Sequence, residues 1–509
     1  MKLVAQFFGK NPLLAVAIFY GALTLPHLNK GLSALDGHGT VASINRMLDG
    51  EGYQPSRPPG HPTTEIILYL PVAYCVENLL QIEFDWEIYN YLQWIGGLVC
   101  LITFHKLLQS VTASTLILTI GSLSLAGSHL FLGNAIDGSE FNWGLACIFS
   151  SFRLLVQAFR STGKEQWKLI LIASAITSIA TGFRQEFIFV FLAYPIFFYI
   201  HPNLSLKDIL RWAPAPMIVG SLVWFPVFLQ NSFSFPMPMP MPNTDGLTEY
   251  QNRILGGGYK LLFLGLTLPV AIVLLGWAVR LIESHLKFLN SDHEIYFIYL
   301  TTVSLTVIYL GLYFVYPYKP DFILLIIPLL ILVSVATHWK KELYCLCSAT
   351  FLSLVAHIDI FDERRLALPH LQSSLYWQKV EEKPYHKKNS LKTDIGSVRG
   401  KGKAILVTDL WKQDFEYLIN KKMIAFRKQR NDSDPKRNFD LYQSPQTGAS
   451  FQVASRRAIE DLPRLLNLQK EGHEICIPQK LLRSFFFRYD IRFPLGDKIL
   501  IGEIAFTII

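Results

Sequence analysis

Apolar stretches of about 17–23 residues recur along this chain, each long enough to cross a ~30 Å hydrocarbon core. Of its 509 residues, 51% are hydrophobic and 17% charged, too little charge for a soluble body of this size. In hydrocarbon a backbone must satisfy its own hydrogen bonds, so such stretches fold as helices. The pattern predicts membrane helices over 11–28, 88–107, 112–133, 142–159, 166–182, 185–200, 212–230, 259–281, 294–316, 320–338 and 342–358. The first, Asn11 to Leu28, lacks a small-residue cleavage site and reads as a retained helix, not a signal peptide.

Positive charge orients these helices. His105-Lys106, Arg160 to Lys168, Lys207 to Arg211, Arg280 to Lys287 and Lys340-Lys341 flank the cytoplasmic ends. The loops 134–141, 182–185, 231–258 and 316–320 then face outward, as does everything after 358. One further apolar segment, Thr64 to Ile82, would flip the parity if it crossed. Its acidic flank, Glu83-Phe84-Asp85-Trp86-Glu87, is a poor cytoplasmic flank, so it is expected to be re-entrant or to lie along the membrane.

Charge is unevenly spread. From Phe361 to Ile509 there are 27 Lys and Arg against 18 Asp and Glu, whereas the rest is nearly neutral. A basic domain of this kind favours anionic partners, lipid headgroups or phosphates, and no nucleic-acid motif accompanies it. Residues 361–400 read as a polar, Lys-rich connector. Beyond them, strand-like runs at Ala404–Thr408, Met423–Phe426, Glu474–Ile477 and Lys498–Ile508 alternate with helical patterns at 411–420 and 456–470, which predicts a small α/β domain. The domain division is thus 1–360 and 361–509. The six cysteines have no metal-ligand spacing and read as small core residues. Phe235 to Pro242 alternates Pro with Met and reads as an extended lid or a plain linker.

Against this background the first outer loop, Leu35 to Glu65, is unusually elaborate. It opens with Asp36. An amphipathic helix over 39–49 follows, carrying Val41, Ile44 and Leu48, and is stopped by Asp49, Gly50 and Gly52. Then comes Ser56-Arg57-Pro58-Pro59-Gly60-His61-Pro62, too proline-rich for helix or inner strand. A carboxylate, a guanidinium and an imidazole on one stiff turn form a candidate site. Other ionisable residues fall on the same side: Asp137, Glu140, Arg184, Glu186, Lys319 and Asp321. Each has a plainer role open to it. Asp137 to Glu140 reads equally as a helix cap with an acid in the first turn, Arg184 with Glu186 as a simple ion pair, and Lys319 with Asp321 as interface anchors.

The arrangement resembles the GT-C superfamily of membrane glycosyltransferases, in the branch of protein O-mannosyltransferases and lipid A aminoarabinose transferases. The likeness runs over about residues 10–340. It rests on Asp36, the 39–49 helix, Gly50-Glu51-Gly52-Tyr53, the Pro-rich motif, Asp137, the turn Thr181-Gly182-Phe183-Arg184-Gln185-Glu186, and Tyr316-Pro317-Tyr318-Lys319-Pro320 with Pro328. It departs from the pattern where many members have Asp-Glu at the start of the loop and this chain has Asp36-Gly37. The resemblance implies a GT-C-like helical membrane domain that moves a sugar from a polyprenyl-phosphate lipid to an extracytoplasmic lipid, glycan or protein. It implies Asp36 as catalytic base and Arg57, His61, Arg184 and Lys319 around the leaving phosphate. Asp137 and Glu140 would hold hydroxyls, with Glu186 and Tyr318 in the same binding group. A single-phosphate leaving group demands no metal, and no cofactor is expected. The expected location is the plasma (inner) membrane, with the site and the tail on its outer side. A lipid or solute transporter is the main rival, although no internal repeat supports it; a scaffold whose tail binds a partner is a second.

Overall fold

The structure is a computed structural model. It describes residues 11–28, 35–50, 52–53, 55–56, 60–136, 140–230, 257–289, 292–315, 320–362, 365–381, 391, 394–395, 403–408, 427–428, 441–443, 451–454, 462–478, 491–495, 498–501 and 504–508. The chain divides into two compact units. The first comprises Met1–Asn29 with Asp36–Val380, and the second Lys30–Leu35 with Glu381–Ile509.

The first unit is a helical bundle, and each of the eleven apolar segments is helical in it. Among the described residues, five helices are long and apolar enough to cross a membrane: Glu87–Val111, Gly163–Phe183, Asp208–Gln230, Leu268–His285 and His293–Phe314. The segment expected over 112–133 is instead two helices, Thr115–Ala126 and His129–Ile136, bent by 59° at Gly127-Ser128; taken as one span they make a sixth. Three segments are shorter apolar helices, Pro12–His27, Gln185–Ile200 and Ile326–Ala336. Among the described residues, length and composition thus mark five, or six with the bent pair, of the eleven expected crossings.

The reason is visible in Ile326–Ala336. Its sequence, IIPLLILVSVA, is apolar on every side, and all eleven residues are buried, as an all-round apolar helix requires. At 1.5 Å per residue it is about 16 Å long, a central strut and not a lipid-facing span. By contrast only 28% of the Asp208–Gln230 span and of the Leu268–His285 span is buried. Ile218, Leu222, Phe225, Ile272, Leu275 and Ile282 all point outward from them. Apolar surface on that scale needs an apolar solvent.

Thr64 to Ile82 forms a π-helix, Thr63–Tyr69, running into an α-helix, Leu70–Leu80, that ends at Gln81 with φ 55°. Its outer face is exposed at Tyr74, Leu79 and Leu80, while Tyr69 and Ala73 pack on Ile44, Phe84 and Tyr89. The last membrane segment stops earlier than its hydropathy suggests. Lys340–Val355 gives way to an antiparallel hairpin, β1 (Ala356–Asp362) with β2 (Arg365–Ser373). Helix Leu375–Glu381 follows, where a connector was expected. Its Tyr376 hydroxyl donates to Leu23 O, and Trp377 Nε1 donates to Leu354 O at 3.0 Å, so this stretch folds back onto the bundle and the first unit runs to Val380, not 360.

Charged side chains gather at two opposite ends of the bundle. At one end Arg160 ties three helix ends together, with Nη2 donating to Ser110 O at 2.7 Å and to Glu294 Oε1 at 2.6 Å, and Arg280 pairs with Glu342 at 2.8 Å. The other end carries Glu140, Arg184 and Glu186.

The second unit contains a sheet of eight strands among the described residues, in the order β4-β5-β6-β3-β7-β10-β9-β8. These are β3 Ala404–Val407, β4 Arg427–Lys428, β5 Leu441–Gln443, β6 Phe451–Ala454, β7 Glu474–Ile477, β8 Ile491–Leu495, β9 Lys498–Ile501 and β10 Ile504–Ile508. The four central strands are parallel, and both flanks are antiparallel. The run expected as one strand over Lys498–Ile508 is the β9–β10 hairpin. Helix Leu462–Lys470 makes the crossover from β6 to β7, inside the pattern expected over 456–470. The helix expected at 411–420 and the strand Met423–Phe426 lie outside the described residues, as does the Pro-Met segment Phe235–Pro242.

Candidate functional site

The first loop starts with helix Leu35–Leu48, four residues earlier than its apolar pattern suggests, so Asp36 lies within its first turn and not ahead of it. Ile44 seals this helix against Tyr69, Phe84 and Tyr89. Thr40, on the same helix, donates through Oγ1 to Glu140 Oε1 at 3.3 Å, and Tyr89 OH donates to the same oxygen at 3.3 Å. Glu140 is fully buried and immediately precedes helix Phe141–Phe159, yet its side chain does not cap that helix. The Glu140 carboxylate thus faces Thr40 and Tyr89 on other helices and takes no part in capping.

The loop's second half is held by a residue that the sequence analysis passed over. Glu65, fully buried at the start of the π-helix, accepts from Tyr53 OH at 2.7 Å, Ser56 N at 2.8 Å and His61 N at 3.3 Å. One carboxylate thus gathers three donors from the loop. Gly60 between them has φ +104°, a backbone closed to L side chains, and an added Cβ would meet Tyr53 OH at 2.5 Å. Burial pushes the Glu65 carboxyl above its ordinary range against the pull of these hydrogen bonds, and burial beside Glu65 pushes the Tyr53 phenol up as well.

Removing this acceptor strands three donors, each costing ~1–3 kcal/mol if it stays buried. Glu65→Ala is expected to lower the unfolding temperature and to open 50–60 to protease. The raised Glu65 pKa also fixes a sign. Its stabilising contribution is greatest below the unfolded carboxyl value of about 4.3 and is lost as pH rises through the folded value. In Glu65→Gln that pH-dependent loss should disappear; an unchanged pH–stability curve would refute this.

The loop is fastened to the end of helix Gly163–Phe183. His61 Nδ1 donates to Phe183 O at 2.6 Å, which places the imidazole proton on Nδ1, and Thr63 Oγ1 donates to Ile179 O at 2.9 Å. Gly182 permits this approach: a Cβ there would run into Thr63 Oγ1 and come within 2.5 Å of Val223 Cγ1.

Arg184 is the next residue after Phe183. Its extended backbone breaks the helix ahead of the 3-10 turn Gln185–Leu192. Arg184 Nε donates to Glu186 Oε1 at 2.8 Å, with both side chains buried, so the ion pair is real. The guanidinium also lies 4.1 Å from the centre of the Phe141 ring. Burial opposes its charge, but Glu186, Glu140 and Asp321 outweigh burial and hold its pKa above the ordinary value. Its two terminal nitrogens take no hydrogen bond among the described residues. Asp321 accepts from Asn134 Nδ2 at 2.9 Å, and Tyr309 OH donates to Glu186 O at 3.0 Å. Asn142, fully buried two residues after Glu140, has neither amide atom hydrogen-bonded among the described residues.

His61, Glu140, Arg184 and Glu186 are thus brought to one end of the bundle, with Thr40 and Glu140 a hundred residues apart and His61 and Phe183 122 apart. Arg57, Asp137, Tyr318 and Lys319 lie outside the described residues, as does the Asp36 side chain. Among the described residues no three His, Cys, Asp or Glu side chains are grouped to hold a metal ion. Compared with known family models and with characterised proteins, the chain matches none.

Proposed function

We propose that this protein is a membrane glycosyltransferase that moves a sugar from a polyprenyl-phosphate donor to an acceptor hydroxyl at the outer face of the plasma membrane. The observation that carries the reading is the convergence on Arg184: the motif-bearing loop is bonded to Phe183, and its helix reaches Glu140 through Thr40. A loop that merely joined two helices would need neither bond.

In this reading Asp36 takes the proton of the acceptor hydroxyl. That oxygen bonds to the anomeric carbon, and the carbon–oxygen bond to phosphate breaks, with its electron pair leaving on the lipid phosphate. Glu140 and the Asn142 amide suit sugar or acceptor hydroxyls. Electrostatics divides the labour further. Arg184 is one cation among three carboxylates, Glu140, Glu186 and Asp321, so this cluster alone does not attract a phosphate. Arg57 and Lys319 must supply the remaining positive charge.

A transporter reading draws on the broken pair Thr115–Ala126 and His129–Ile136. One assay separates the two. The purified chain in lipid vesicles is given polyprenyl-phosphate sugars and an envelope extract as acceptor. Release of the free polyprenyl phosphate, with sugar on the acceptor, is the expected result. Intact donor moved between leaflets with no release would overturn transfer in favour of transport.

A further inference from the structure

At the end of the bundle opposite Arg184, a groove of about 630 Å³ lies between the start of helix Gly163–Phe183 and the short helix Asp208–Trp212. Three cations line it: Lys164, Lys168 and Arg211. The Arg211 guanidinium lies 4.3 Å from the centre of the Trp167 ring, which fixes a mobile side chain and offers its remaining donors to the groove. Two acids are nearby. Among the described residues Glu165 reaches only Lys168, at 3.6 Å with both side chains more than half exposed, a weak pairing. Asp208 is engaged in its own turn, accepting from Ser205 N and Ser205 Oγ. Lys164 and Arg211 have no acidic partner among the described residues.

The groove's wall changes character along the helix. Leu171 and Ile172 line it and are exposed at 36% and 41%. They lie seven and eight residues beyond Lys164, about 10–12 Å along the axis. That is the order of the depth from a lipid phosphate to the upper acyl chain, since headgroup regions add several ångströms to each side of the core. Both bordering helices enter candidate spans from this end.

We propose that this groove binds an anionic glycerophospholipid, with its phosphate between Lys164 and Arg211, its glycerol beside Trp167 and an acyl chain along Leu171 and Ile172. A zwitterionic lipid would bring its own cation among three, and a free phosphate would leave the apolar wall uncovered. The inference rests on the groove alone and stands apart from glycosyl transfer.

The test is native mass spectrometry of the full chain in neutral detergent, titrated with phosphatidylglycerol, phosphatidylcholine or inorganic phosphate. One phosphatidylglycerol should be retained in preference to phosphatidylcholine. Arg211→Gln and Lys164→Gln should each weaken it about five- to tenfold. Arg160→Gln removes a charge at the same end but outside the groove and should leave binding unchanged. Equal retention of phosphatidylcholine, displacement by millimolar inorganic phosphate, or equal weakening by Arg160→Gln would each overturn the proposal. Thermal unfolding of each variant identifies any that has lost its fold; for such a position, Arg211→Lys, which keeps the charge, replaces it and should retain the lipid.

Discussion

Asp36→Asn is expected to lower sugar transfer by ~10²–10⁴-fold, the usual cost of a lost general base, with yield and thermal unfolding unchanged. The substitution keeps size and removes basicity. The structural reason for choosing Asp36 is its helix. Asp36 is the first acid of the outer loop and lies in the first turn of helix Leu35–Leu48. Thr40 of that helix reaches Glu140, in the turn preceding Phe141, whose ring underlies Arg184. The pH–rate profile is the companion measurement. If Asp36 is the base, its loss removes the acidic limb along with the rate. Turnover within a few-fold of wild type, with that limb intact, would exclude it.

Hydropathy alone located the long apolar helical segments of the bundle, because an apolar run has no other way to satisfy its backbone in lipid. It could not tell which runs span. Ile326–Ala336 and Asp208–Gln230 are both strongly apolar, yet one is wholly buried and the other faces outward. That difference is set by neighbours and not by composition. The bend at Gly127 was similarly hidden, since one glycine and one serine in an apolar run do not announce a 59° break.

In the candidate site, the contacts legible in the sequence are the local ones. Arg184 and Glu186 are two apart in a turn and pair as such a turn allows. Glu65 was missed for the opposite reason. It is a lone acid at the head of an apolar run, and two of its three partners are backbone N–H groups of Ser56 and His61 that no side-chain pattern reveals. The partner of Glu140 was also out of reach: Thr40 lies a hundred residues earlier, and only the fold brings them together.

Arg184→Ala should be the most damaging single change at this end of the bundle, and the structure specifies how. The guanidinium sits among Glu186, Glu140 and Asp321, and removing it leaves Glu186 and Glu140 buried without their common counter-charge. Breaking a buried pair in this way costs ~3–5 kcal/mol. If Arg184 served only Glu186, Glu186→Gln would be as harmful. Here it should be milder, because Arg184 keeps Glu140 and Asp321 and the Gln side chain can still accept from Nε. Arg184→Lys separates stability from donor use. An ammonium preserves the charge balance but not the planar fork, whose two terminal nitrogens are the groups available to a ligand. The Lys variant should therefore stay folded while its use of donor falls about 10- to 150-fold, the equivalent of one lost charge-assisted hydrogen bond. Thermal unfolding and donor-concentration dependence, measured side by side for all three variants, decide the matter. Equal destabilisation by Arg184→Ala and Glu186→Gln would reduce the cluster to a simple pair. Donor kinetics unchanged in Arg184→Lys would remove Arg184 from the substrate and leave it as a strut between the loop and the helix that follows.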